Sequence, residues 1–135
     1  MANATADTPA QWLALLRDSS VDLIRSQSDW DNFVALPSNR RAAFFTGTPN
    51  AGVDPLANAS PTAIRAFSAS LKFAGGGLGH ADYSSFVGVL SAAQFSALWG
   101  AFGISNVLIA DYNDRYCRES GTCAAQGGSI CTSNC

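Results

Sequence analysis

The chain has 135 residues, 47 % of them apolar and only 13 % charged. That is enough for one packed domain, and too little charge for a protein that works through a dense ionic surface. A net charge of −2 excludes a general electrostatic grip on nucleic acid or on an anionic membrane, and no apolar run approaches the about 18 residues that a membrane span requires.

Helix signals begin at Thr8-Pro9, a hydroxyl N-cap followed by proline at the first helical position. Trp12, Leu13, Leu15, Leu16, Leu23 and Ile24 then form an apolar face to about residue 26, weakened by Ser19 and Ser20. Asp29 is expected to cap a second helix carrying Trp30, Phe33 and Val34, which Pro37 ends. Ser38 opens a third, through Phe44 and Phe45 to Gly47.

Residues 47–59 (GTPNAGVDPLANA) read as loop. Ser60-Pro61 repeats the cap-plus-proline start, with Ile64, Phe67 and Leu71 at helical spacing and Phe73 near the end. The run Gly75-Gly76-Gly77-Leu78-Gly79 is expected to break the chain. Asp82 is then expected to cap a helix bearing Phe86, Val87 and Leu90. Ser91 and Gln94 form a capping box ahead of Phe95, Leu98, Trp99 and Phe102, stopped by Gly103. Ser105 opens a last segment, Val107 to Tyr116, with helix favoured over strand. These signals predict an all-α fold: a bundle of five to seven short helices over residues 1–116, with the aromatic side chains as its core. An irregular Cys-, Ser- and Gly-rich tail, 117–135, would follow.

The glycine run leads into the chain's one histidine, His80, with Asp82 two residues on. A glycine-rich loop that opens a helix is able to cradle phosphate, but neither GxGxxG nor a P-loop sequence is complete here. His80 and Asp82 are therefore expected on a loop, Asp82 as a helix cap. They define the place where an enzyme or ligand-binding alternative would sit. No GxSxG occurs, and the carboxylates near Asp111 lack the glycine and closing glutamate of a calcium loop.

All four cysteines lie in the tail: Cys117, Cys123, Cys131 and Cys135. The spacing C-x5-C-x7-C-x3-C departs from the close pairs of zinc sites, so no metal and no cofactor is expected. An even count suits two disulfides, in any of three pairings, and would favour an extracellular or particle-surface setting. Residues 1–9 carry neither the basic patch nor the apolar stretch of a secretory signal. Gly127-Gly128 resembles the double-glycine processing site of ribosomally made peptides, and Ser120-x-x-Cys123 and Thr132-x-x-Cys135 resemble thioether spacings. That resemblance implies a precursor with 1–116 as leader and the tail as core. The main expectation is different: a non-catalytic structural or interaction protein that contacts itself or a protein partner, with neither nucleic acid nor a membrane span involved.

Overall fold

The computed structural model describes residues 2–119 and 121–135. Where helices begin, the local chemistry reads directly. Thr8 Oγ1 accepts the Gln11 N–H at 3.2 Å to start α1, Pro9–Arg17. Ser26, not Asp29, caps α2, Gln27–Ala35. Asp29 sits in the first turn and its carboxylate reaches back to the Arg25 N–H at 3.0 Å. The short α3, Ser38–Ala43, has no side-chain cap. Ser60 caps α4, Pro61–Ser70, and the Ser91/Gln94 box closes both of its hydrogen bonds at the start of α5, Ala92–Ala101. Ser105 caps α6, Asn106–Tyr112.

The fold is not all-α. It holds 41 % helix and 23 % strand, with a four-stranded antiparallel sheet. The strands are β1 Lys72–Ala74, β2 Gly77–Asp82, β3 Asn113–Glu119 and β4 Thr122–Cys131, in the order β1-β2-β4-β3. Each departure from the expected helices has a local cause. Leu71 takes extended backbone and ends α4, which places Phe73 in β1. Gly75 and Gly76, with φ of +60° and +80°, form a two-residue turn between the paired Ala74 and Gly77. Successive positive φ values suit the twist of a tight hairpin, so these glycines join two strands where a break was expected. Residues 84–86 make only a 3-10 turn. The chain beyond Tyr112 enters β3 and does not continue the helix to Tyr116.

The expected irregular tail is instead mostly β4, which lies between β2 and β3. Its end is core: Ser129, Ile130, Cys131 and Thr132 are all buried. Around Trp30, which is wholly buried, Phe67 and Phe102 stand at centroid distances of 5.2 and 5.7 Å, and Phe67 stacks on Phe86 at 4.8 Å. Such ring pairs add to the burial of the aromatic area itself. The long loop 47–59 is pinned by Asp54. Arg41 grips its carboxylate with Nε at 2.9 Å and Nη2 at 3.0 Å, Ser38 Oγ donates at 2.6 Å, and the Leu56 N–H at 2.9 Å.

Candidate functional site

His80 and Asp82 lie on β2, two residues apart and so on one face of the sheet. His80 is half-buried, stands opposite Lys72 of β1 and Cys131 of β4, and its Nδ1 accepts the Cys117 N–H at 3.3 Å. An accepting Nδ1 places the ring proton on Nε2 in the neutral form. Burial lowers the proton affinity of His80, the Lys72 charge adds to that, and the Asp82 charge opposes it. Asp82 Oδ1 accepts the Ser84 N–H at 2.9 Å and so shapes the 3-10 turn rather than starting an α-helix. His80 is thus held in the sheet by a main-chain contact, not displayed on a loop.

The four cysteines form two nested disulfides, Cys117–Cys135 and Cys123–Cys131. Eight residues of straight strand would span roughly 26 Å, yet the Cα atoms of Cys123 and Cys131 are 5.8 Å apart. β4 therefore doubles back between its two pairing segments. Ala125 faces Arg115 while Ile130 faces Asn113, so five residues of β4 are spent against two of β3. The excess lies in residues 126–129, where Gly128 has a φ of +82° and its carbonyl accepts the Tyr83 N–H at 2.8 Å. All four sulfurs are committed to these two bonds. Thr132 Oγ1 donates to Leu78 O at 2.6 Å and is buried, and Ser120 lies outside the described residues.

A cleft of about 290 Å³, which His80 does not line, opens between the 3-10 turn, α5 and α6. Its walls are Tyr83, Phe95 and Trp99, with Ile109, Asn106 and Asn113 around them. Phe95 stacks on Trp99 at 6.4 Å. Tyr83 stands edge-on to both, 5.7 Å from Phe95 and 5.6 Å from Trp99. The Tyr83 hydroxyl donates to Asn113 Oδ1, which also takes the Asp114 N–H at 3.0 Å. Burial, and after it the charge of Asp114, raises the Tyr83 phenol above its ordinary range. Asp82 acts in the same direction, and the Asn113 hydrogen bond opposes them.

The indoles differ in how they are satisfied. Trp12 Nε1 donates to Phe102 O at 2.9 Å and Trp30 Nε1 to Ser68 Oγ at 2.8 Å. Trp99 is only 5 % exposed and lines the cleft, and its N–H has no acceptor among the described residues. Helical periodicity assigns Phe95 and Trp99 to the core, which hides the cleft. A signal for it was present: no charged residue occurs between Asp82 and Asp111. Three of the exposed large hydrophobic residues, Val87, Val89 and Val107, fall in that same stretch. No helix among the described residues is long and apolar enough to cross a membrane. Comparison with protein-family models, curated proteins and solved structures gave no match.

Proposed function

We propose that this chain is a non-catalytic interaction protein, a disulfide-braced domain whose work is contact with protein. The observation that carries this reading is the uncharged stretch between Asp82 and Asp111, in which Val87 and Val107 are 61 % and 66 % exposed and which supplies Tyr83, Phe95 and Trp99 to an aromatic cleft. Apolar groups held at a surface lose water readily on contact, and Trp and Tyr are the side chains that most often anchor such contacts. Paired cysteines fit an oxidising setting, outside a reducing cytosol.

Two measurements test the reading. Static light scattering across micromolar to millimolar protein distinguishes self-contact, seen as multiples of 14.0 kDa, from contact with another chain. A photo-crosslinking side chain at position 107, introduced in the native host, is expected to give one dominant adduct that excess unlabelled protein suppresses. A constant 14.0 kDa with no adduct at position 107 overturns the proposal.

A further inference from the structure

Building on the interaction reading, we propose that the Tyr83/Phe95/Trp99 cleft docks an extended, proline-rich segment of a partner protein that carries a basic residue beside its prolines.

The first argument is shape and surface. Three rings in mutual contact, one of them edge-on to the other two, line a space of about 290 Å³. Aromatic-lined grooves hold polyproline II segments because the pyrrolidine rings pack flat on the walls and the ligand is already extended, so little chain entropy is lost.

The second argument is hydrogen bonding. The Trp99 indole N–H is unanswered within the described residues, while Asn113 Oδ1 already accepts two hydrogen bonds, leaving its amide NH2 as the spare group. Ser96, also in the wall, donates its hydroxyl to Asn50 Oδ1 at 2.8 Å. The capacity left by Trp99 and Asn113 is thus for acceptors. A polyproline II segment offers carbonyl oxygens, and its prolines bring no N–H that needs a partner. The Ser96 and Tyr83 hydroxyl oxygens keep lone pairs that a saccharide also uses, so a saccharide is the comparison ligand.

The third argument is charge. No basic side chain lines the cleft, and the charges felt at the Tyr83 hydroxyl are the carboxylates of Asp114 and Asp82. An arginine or lysine flanking the prolines meets a field of opposite sign there, which favours encounter and fixes direction.

The test titrates the full-length oxidised protein, labelled with ¹⁵N, with three probes: an acetylated oligoproline flanked by arginines, the same peptide with glutamates for arginines, and maltotetraose. The indole N–H resonances are the readout, and that of Trp99 is identified by its loss in Trp99→Phe. The arginine peptide is expected to shift the Trp99 indole and leave those of Trp12 and Trp30 in place. Its affinity should fall with added salt and exceed that of the glutamate peptide. Trp99→Phe, followed through neighbouring amides, should bind about tenfold more weakly, the effect of losing one hydrogen bond and part of the aromatic wall. Should that variant fail to keep the Trp12 and Trp30 signals, Phe95→Leu replaces it, and it too should weaken binding. No Trp99 shift with the arginine peptide at millimolar concentration overturns the proposal. So does equal affinity in the folded variant, or a response to maltotetraose alone. If the peptide fails while crosslinking at position 107 still reports contact, only the cleft assignment falls. If both fail, the interaction reading falls with it.

Discussion

Arg41 and Asp54 hold the long loop to α2 and α3 through two parallel hydrogen bonds, with side chains 15 % and 5 % exposed. Arg41 Nη1 also donates to the carbonyls of Val34 and Leu36. Burial opposes ionisation of Asp54. The hydrogen bonds from Arg41, Ser38 and Leu56, with the Arg41 charge, outweigh it and hold the carboxyl below its ordinary value of 3.8. The sign follows: the stability this carboxylate contributes is present above pH 3.8 and is lost as pH falls through the lowered folded value. Asp54→Ala leaves a largely buried guanidinium unpaired, and a loss of about 3–5 kcal/mol is expected from urea unfolding at neutral pH. A loss under about 1 kcal/mol would mean that the loop is not held by this pair.

His80 has the opposite chemistry and loses stability in a higher range of pH. Its proton affinity is lowered in the folded state, first by burial and then by Lys72, against Asp82. The unfolded chain therefore binds the proton more readily. Stability is complete above the ordinary histidine value of 6.5 and declines as pH falls below it, through the lowered folded value. Protonation at Nδ1 also ends its acceptance of the Cys117 N–H. The expected result is a melting temperature that drops between pH 7 and 5, with a smaller drop in His80→Gln. Identical pH profiles for the two proteins would remove His80 as the cause.

Among the elements, the starts of α1, α4, α5 and α6 were legible, while the Ser26 start of α2 and the strands were not. The caps at Thr8, Ser60, Ser91 and Ser105 each act on a backbone N–H three residues ahead, so a short window of sequence contains the whole interaction. Pairing of β2 with β4 joins His80 to Cys131 and Asp82 to Ser129, and no local window contains both partners. Gly75-Gly76 is a hairpin signal that resembles a plain break in sequence, because the strands on either side are only three and six residues long. The candidate site suffered similarly. Tyr83, Phe95 and Trp99 pack on the core and line a cleft at once, and periodicity reports only the first role.

The disulfides act at this same scale. In the chain-entropy view, closing 18 residues between Cys117 and Cys135 contributes about 3 kcal/mol, and closing eight between Cys123 and Cys131 about 2.5 kcal/mol. Because residues 129–132 are buried in the common core, these bonds constrain the whole molecule and not a detachable end. Replacing Cys123 and Cys131 together with serine is expected to lower the melting temperature of the entire protein by about 10 °C. Calorimetry that shows an unchanged main transition would detach the sheet from the helices.

For the whole molecule, the position of β4 predicts one cooperative unit. The helices supply Trp12, Trp30 and Trp99, the sheet supplies Leu78 and Ile130, and all except Leu78, Trp99 and Ile130 come from the first helices of the chain. Far-ultraviolet dichroism and tryptophan fluorescence are expected to give coincident urea transitions in the oxidised protein. Separate midpoints would show two units. A protease cut at the exposed Gly127 falls inside both bridged loops. Cleaved protein should gain the mass of one water and stay joined until a reductant is added.

The sheet order also sets a timetable for biosynthesis. β2 is made early, but the edge it must share is supplied by residues 129–131, the last sheet residues in chain order. From the moment the β1–β2 hairpin leaves the ribosome, one side of β2 stands as an open row of amides and carbonyls beside the apolar Leu78 and Ala81. A nascent chain in that condition is a template for any other extended strand it meets. Slow arrival of β4 thus invites pairing between copies, and variants that weaken β4 should lose yield to aggregation before they lose the stability of molecules already folded.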